Sequence, residues 1–182
     1  AVVKQSRPEL TAAQVKSALM NSANPSVAIA GSGSGAAGIF ASGTGALDVE
    51  SALNAKLLFE TTSLSKNCFS SCEFEIKGSY RGEQSLSLSP RLELSDRNAV
   101  ITLATSFEVA PGTSFELPFS IDVSSTSEGW LTGRIVLEDT SQTISAASIP
   151  IAVNVGTRAD ELVLSIEGDI TPGVASTVSV AI

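Results

Sequence analysis

Apolar and polar side chains alternate along three stretches in the second half of the chain. Apolar residues, with one glycine among them, occupy every second position over residues 115–123, 131–137 and 149–155. Because successive side chains of an extended chain point to opposite faces, each stretch predicts a strand with one buried and one solvated face. Segments rich in serine, threonine and glycine separate the stretches, as turns do. The pattern predicts an antiparallel β-sandwich.

Shorter segments of strand composition lie on both sides of this region. Pro150 lacks an N–H, so we expect residues 148–153, which contain it, to form the closing edge strand. Residues 162–166 and 174–180 predict two strands that either belong to this sandwich or begin a further domain; the sequence leaves both open. The remaining predicted strands are residues 57–62, 73–76, 85–88 and 100–103.

The first part of the chain follows a helical pattern instead. Val15 and Leu19 recur at helical spacing and predict an amphipathic helix over residues 12–23. Thr11 and Gln14 have the spacing of a capping box, in which each side chain bonds a free backbone N–H of the first turn. The apolar stripe of such a helix is expected to pack on the surface of a core.

A second, shorter helix is predicted over residues 49–55, where Asp48 provides the N-cap. The fold class is therefore mainly β, an antiparallel β-sandwich preceded by a short α-helical N-terminal segment. Val15, Leu19 and Met20 would be exposed on an isolated helix. We expect these three residues to pack against the sandwich or against a neighbouring chain.

The glycine-rich segment over residues 33–38 spells the G-x-G-x-x-G pattern of dinucleotide-binding loops. Such a site needs a strand before the loop, a helix that opens from it, and an acidic residue about 20 positions later. Val27–Ala30 could supply the strand, but residues 39–45 contain too much glycine for a helix and no second βαβ unit follows. The pattern therefore predicts a flexible loop.

The charge balance excludes one class of function. The chain has 19 acidic and 11 basic residues, a net charge of −8, and the acidic surplus lies wholly after residue 55. An acidic surface repels phosphate backbones, and no cluster of lysine and arginine interleaves with aromatic residues. We expect no nucleic-acid partner. No apolar stretch approaches the roughly 18 residues that would span a bilayer, so we expect no membrane span.

The chain contains no histidine. This absence excludes the Ser-His-Asp and Cys-His catalytic arrangements and histidine-containing zinc sites from this chain. Glu73, Glu75 and Asp122 could in principle perform acid–base chemistry, but they alternate with core residues, which is typical of a solvated strand face. We predict no catalytic, cofactor-binding or metal-ligating residue in this chain.

Cys68 and Cys72 are the two cysteines of the chain. An even number with tight spacing in a chain of secreted character favours a local disulfide that fixes the turn before residues 73–76. Two reduced, partly buried thiols are the alternative. A metal site is less favoured because two further ligands are not evident.

Three motifs resemble those of a known protease family. Residues 7–23 (RPELTAAQVKSALMNSA) are similar to the segment that follows the catalytic serine helix in subtilisin-like serine proteases, the subtilases. Residues 43–53 (GTGALDVESAL) are similar to the end of the subtilase catalytic domain, and the two motifs occur in the family's order. Residues 128–137 (EGWLTGRIVL) resemble a strand of the fibronectin type III-like domain that follows many subtilase catalytic domains.

The resemblance implies a division of the chain. Residues 1–55 would be the C-terminal remnant of a subtilase catalytic domain, residues 56–155 a fibronectin type III-like β-sandwich, and residues 156–182 a linker and strands of a possible further β domain. Similar turns with the cysteine spacing of Cys68 and Cys72 occur in fibronectin-like domains of some bacterial subtilases. In this context Trp130 is expected to fill a core or rim position and not to form a ligand platform.

The family's catalytic motifs have no counterpart in this sequence, so the resemblance carries no catalytic role over to any residue. It implies a non-catalytic C-terminal fragment of a secreted or cell-surface bacterial endopeptidase, with the Gly-Thr-Ser-Met-Ala motif of that protease expected before Ala1. The expected partners are the protease domain of the same polypeptide and, through it, protein substrates; calcium would belong to the parent protease. The alternative is a freestanding extracellular adhesive or binding β-sandwich.

Overall fold

The computed structural model describes residues 1–27, 37–142, 144–156, 163–166 and 178–181. Within these ranges, the helices are α1 (Val2–Ser6), α2 (Ala12–Asn21), α3 (Ile39–Ser42) and α4 (Val49–Asn54). The strands are β1 (Leu57–Phe59), β2 (Leu64–Cys68), β3 (Ser71–Tyr80), β4 (Leu86–Leu94), β5 (Val100–Thr102), β6 (Phe107–Val109), β7 (Ser114–Asp122), β8 (Gly129–Asp139), β9 (Ala147–Val155), β10 (Val163–Ile166) and β11 (Val178–Ala181).

Two sheets form a sandwich. One has the strand order β1-β3-β7-β5 and the other β2-β9-β8-β4-β6. The fold-class prediction of a mainly β sandwich preceded by a short α-helical segment is confirmed. Strands β10 and β11 pair antiparallel with each other, as a separate two-stranded sheet. The turn predicted between them, at residues 170–173, lies outside the described residues.

The sandwich core consists of the side chains that the alternating pattern places on one face of each strand. In β3 and β7 every second residue is buried, and the central strands of the other sheet supply isoleucine, leucine and valine side chains with no more than a few per cent of their surface exposed. Burial of such a set is the main favourable term in the folding of a sandwich. Its fully buried members include Ile76, Leu88, Ile121, Ile135, Leu137, Ile149, Ile151 and Val153.

Strand β9 is not the edge strand that Pro150 predicted. It lies between β2 and β8. Pro150 faces Arg134 of β8, and the pairing of β9 with β2 begins only at Ile151, opposite Leu64. The proline therefore lies just outside the β2 ladder, where its missing N–H removes no hydrogen bond to that strand.

The prediction of purely antiparallel pairing is wrong for one pair, because β2 and β9 run parallel. The sequence did not mark β2 as a strand at all. Its middle residues, Ser65, Lys66 and Asn67, are all exposed, so the strand carries little apolar alternation. It is held at the edge of the sheet by its backbone pairing with β9.

Both predicted helix starts are confirmed. The Thr11 hydroxyl accepts from the Gln14 N–H at 3.2 Å and the Gln14 side chain accepts from the Thr11 N–H at 3.0 Å, which is the capping box. The Asp48 carboxylate accepts from the Ser51 N–H at 2.9 Å. Hydrogen bonds from the backbone and side chain of Ser51 lower the pKa of Asp48, because they favour its charged form.

The glycine-rich pattern at residues 33–38 falls almost wholly outside the described residues. The expectation that no helix follows it is wrong, because Ile39–Ser42 form one α-helical turn with Gly38 as the N-cap. That turn ends at Gly43, whose φ of 58° lies in the left-handed region that favours glycine. A four-residue turn is far shorter than the helix of a dinucleotide-binding unit.

Candidate functional site

The helical segment, residues 1–55, and the sandwich meet at strand β1. Because successive side chains of a strand point to opposite faces, Leu57 and Phe59 lie in the sandwich core and Leu58 lies on the opposite face. Leu58 packs there in a second small core with Leu10 and Ala52, together with Val3 and Ala18. One three-residue strand therefore belongs to both cores. We call this contact region the junction.

A chain of buried hydrogen bonds crosses the junction. The Ser17 hydroxyl accepts from the Phe59 N–H at 2.7 Å and donates to Asn21 Oδ1 at 3.0 Å, and Asn21 Nδ2 donates to the Ser148 carbonyl at 2.9 Å. Phe59 lies on edge strand β1 of one sheet, and Ser148 lies at the start of β9 in the other. Helix α2 thus forms a hydrogen bond with a backbone group of each sheet.

The helical segment also covers the outer face of β9. Ser148, Pro150 and Ala152 point away from the sandwich core by the alternation of the strand, yet all three are buried. Helices α2 and α3 contact β9. Sequence reasoning assigned these residues to a solvated face because a strand pattern carries no information about a helix that packs on it.

The expectation that α2 packs against the sandwich is confirmed for Val15 and Leu19. Both are partly buried against the small core that includes Leu58 of β1. Met20 is half-buried. Sequence reasoning chose these residues for their hydrophobicity and missed Ser17 and Asn21, which are more deeply buried and make the hydrogen bonds to the sheets.

The structure brings the motifs at residues 7–23 and 43–53 together. Arg7 Nη1, at the start of the first motif, donates to the Ala55 carbonyl at 2.7 Å, just after the second. Asn24 and Ala46 exchange two backbone hydrogen bonds of 2.8 Å. Gly45 has a φ of 124°, and a Cβ there would overlap the Asn24 carbonyl, so only glycine fits beside this bridge.

Three apolar residues on and next to helices α1 and α4 are exposed. Val2 of α1 is 54% exposed, Leu47 is 63% exposed and Val49 of α4 is 42% exposed. Helices α1 and α4 contact each other, while their buried residues Val3 and Ala52 belong to the small core. We call Val2, Leu47 and Val49 the helix patch. Exposed apolar side chains are the surface on which another protein segment can pack.

The predicted disulfide between Cys68 and Cys72 is present. It closes a turn at one end of the sandwich, and both cysteines are buried. The Val123 N–H donates to the Ser70 carbonyl at 2.7 Å, and the Gly156 N–H donates to the Cys68 carbonyl at 3.0 Å. The turn joins β2 to β3 and is bonded to the residues that directly follow β7 and β9. A disulfide is typical of proteins outside reducing compartments.

The carboxylates that were weighed for acid–base chemistry lie on the exposed surface of the paired strands β3 and β7. Glu75 forms an ion pair with Lys77 at 3.1 Å, and Glu73 is exposed. The Asp122 carboxylate accepts from the Ser124 N–H at 2.9 Å, and the side chain and backbone of Ser124 lower its pKa. A lowered pKa holds Asp122 in its charged form, as a turn cap and unlike a general acid.

A cleft of about 580 Å³ lies between the start of α2 and strands β1, β3 and β7. Thr11 and Gln14 line one side, and both already bond each other's backbone in the capping box. Glu60 and Arg81 are the ionisable residues with opposite charge on its walls. The lining includes none of the carboxylates that were weighed for acid–base chemistry.

Trp130 was predicted to fill either a core or a rim position, and the core position is wrong. Its side chain is 54% exposed, on the outer face of β8. Its ring lies 5.2 Å from that of Phe40 in α3, with an interplanar angle of 81°, and Phe40 is itself 67% exposed. This edge-to-face contact is a favoured aromatic geometry and ties the helical segment to β8.

The described residues contain neither a metal-binding cluster nor a membrane-spanning helix. In these ranges no three histidine, cysteine, aspartate or glutamate side chains lie together as a metal site. Among the same residues no helix combines the length and the hydrophobicity required to cross a bilayer.

Known proteins resemble this chain only in parts of their three-dimensional structure, and at low sequence identity. No family model and no curated protein matches the chain. The FixG-related protein from Vibrio parahaemolyticus is 14% identical with a TM-score of 0.42, over 47% of this chain and 78% of that one. The secreted serine protease VesC from Vibrio cholerae is 13% identical with a TM-score of 0.42, over 54% of this chain and 23% of that one. The YadV chaperone is 9% identical with a TM-score of 0.43, over 63% and 62%.

These low values assign no family to the chain. Its own strand order makes it a β-sandwich protein with short helices at its N-terminal end.

Proposed function

We propose that this chain is the non-catalytic C-terminal part of a secreted subtilisin-like serine endopeptidase, with the sandwich as an accessory domain that supports the protease domain. The observation that carries this proposal is the folding of the two subtilase-like motifs as one unit. Residues 7–23 and 43–53 supply α2 and α4, which share a small core. Arg7 of the first motif bonds the Ala55 carbonyl just after the second, and Ser17 of α2 bonds the sandwich.

The helix patch supplies the surface for the protease domain. In the proposed arrangement the domain that carries the catalytic residues packs on Val2, Leu47 and Val49, while the buried residues of the same helices belong to the small core that includes Leu58 of the sandwich. The accessory role follows, because a rigid junction transmits the position of the sandwich to the protease domain. In this proposal the chain itself performs no peptide hydrolysis, since it has no histidine for the Ser-His-Asp triad of that protease class.

The Cys68–Cys72 disulfide supports secretion, because such bonds persist in oxidising surroundings. Protein substrates are bound by the parent enzyme, and any calcium belongs to its protease domain.

The helix patch gives a test with a matched control. Leu47→Ser removes an apolar side chain that is 63% exposed in this chain, and Val100→Ser on β5 removes another that is also 63% exposed. In the isolated chain we expect both variants to change the free energy of unfolding by less than about 0.5 kcal/mol. In the natural polypeptide, where the protease domain covers the patch, we expect Leu47→Ser alone to cost about 1–2 kcal/mol, measured by urea denaturation.

Equal, small effects of Leu47→Ser and Val100→Ser in the natural polypeptide would contradict the proposed packing. That result would favour the second candidate, an extracellular binding module. The exposed contact between Phe40 and Trp130 is the feature that favours this second function.

A further inference from the structure

Trp130 forms one wall of a small cavity at the end of strands β4 and β8. The cavity measures about 120 Å³, and its lining includes Asp96, Glu128 and Trp130 together with Ser95, Thr126, Ser127, Gly129 and Leu131. Pockets for drug-sized ligands or cofactors measure about 300–1,000 Å³. A cavity of this size admits the end of one side chain.

The loops around the cavity are held by their own hydrogen bonds. The Ser95 N–H donates to the Thr132 carbonyl at 2.8 Å, and Thr132 returns a bond from its N–H to the Ser95 hydroxyl at 3.1 Å. The Thr126 hydroxyl donates to the Val123 carbonyl at 2.8 Å. The site is therefore formed before any ligand arrives, which lowers the entropic cost of binding.

The negative charge of the cavity lining favours a positively charged ligand. Among the described residues that line the cavity, Asp96 and Glu128 are carboxylates and none is basic. Asp96 accepts from the Asn98 N–H at 2.9 Å, and no described residue forms an ion pair with Glu128. An indole ring attracts cations more strongly than the other aromatic side chains do, and the flanking carboxylates add a direct Coulomb attraction.

We propose that Trp130, Asp96 and Glu128 form a binding site for a cationic side chain, an exposed arginine or lysine of a partner protein. Arginine fits best, because its planar guanidinium stacks on an indole and bonds a carboxylate in the same plane. The net charge of −8 disfavours a second copy of this chain as the partner, since two acidic surfaces repel. This site is separate from the helix patch and does not depend on the proposed protease domain.

The single tryptophan of the chain makes the test specific. We expect acetylated hexa-arginine amide to change the Trp130 emission of the full chain in a saturable manner, and hexaglutamine amide to leave it unchanged. In calorimetric titration Trp130→Ala should weaken hexa-arginine binding about tenfold, while Trp130→Phe, which keeps an aromatic face, should stay within about threefold. Circular dichroism checks that each variant is folded.

A pair of charge variants separates the site from general attraction to an acidic protein. Glu128→Gln should weaken hexa-arginine binding about tenfold, whereas Glu108→Gln, an exposed carboxylate at the opposite end of the β4 region, should weaken it less than about twofold. Equal losses in the two variants, equal binding of hexaglutamine, or an emission change with neutral maltohexaose but not with hexa-arginine would each overturn the proposal.

Discussion

Replacing Ser17 with alanine lowers the free energy of unfolding of the chain by about 3 kcal/mol. Ser17 is fully buried, and its hydroxyl serves the Phe59 N–H on one side and Asn21 on the other. Alanine leaves that N–H in an environment that water does not reach, and it deprives Asn21 Oδ1 of its donor. A buried polar group without a partner costs about 1–3 kcal/mol, and the substitution creates two.

Urea denaturation measures the loss, and Ser22→Ala is the matched control. Ser22 is the C-cap of the same helix, and its hydroxyl donates to the Ala18 carbonyl of that helix. We expect the control to cost less than about 0.5 kcal/mol. Amide exchange adds a site-specific readout, because the Phe59 N–H should lose protection in Ser17→Ala and keep it in Ser22→Ala. Equal stability of the two variants would show that the junction does not depend on this hydrogen bond.

Replacing Gly133 with alanine destabilises the sandwich by about 3 kcal/mol. Gly133 lies in the middle of β8, opposite Leu94 of β4. A Cβ at this position would overlap the Glu93 carbonyl oxygen, which belongs to the neighbouring strand, and would crowd the Leu94 side chain. Backbone atoms of a central strand pair cannot move aside without breaking the ladder hydrogen bonds, so the cost exceeds that of ordinary overpacking.

Gly38→Ala is the control for the loss of a glycine. A Cβ at Gly38 has no atom within 4 Å, and its φ of −67° is allowed for every residue. We expect this variant to remain within about 0.5 kcal/mol of the parent chain in thermal unfolding. A Gly133→Ala protein as stable as Gly38→Ala would mean that β4 and β8 are less closely paired than described.

The strands with alternating apolar and polar residues were predictable because the burial of one face determines which residue types occur along them. Each of the strands β7, β8 and β9 has a buried face, so their hydrophobic pattern is strong. Strand β2 has no such pattern, since its middle residues are exposed and its position depends on backbone pairing. Sequence patterns report side-chain burial and are silent on which backbones pair.

The position of Pro150 shows a related limit. A proline in a strand predicts an edge, and β9 is internal, but Pro150 lies beyond the end of the β2 ladder. The proline rule requires only that no neighbouring strand need a hydrogen bond from that one residue. Because β2 is short and its pairing begins at Ile151, β9 meets this requirement at Pro150 and is still an internal strand.

The site was less predictable than the fold. The junction depends on Ser17 and Asn21, polar residues on a helix whose apolar stripe drew attention to Val15 and Leu19. One signal was present in the sequence, since Ser17 and Asn21 are four residues apart and thus share a helix face. Their partners in β1 and β9 are far away along the chain, so the bonds themselves could not be foreseen.

The core position suggested for Trp130 was wrong for a different reason. A lone tryptophan in a sandwich usually fills the core, but the alternation of β8 places Leu131 inward and its neighbour Trp130 outward. The period of the strand was the better guide than the type of residue.

Reaction with a fluorophosphonate probe, which labels activated serines, tests the central claim most directly. The account predicts that the natural polypeptide containing this chain is labelled at a serine before residue 1 and hydrolyses casein, and that the purified 182-residue chain is neither labelled nor active. Casein hydrolysis by the 182-residue chain, or a natural polypeptide with no labelled serine, would contradict it.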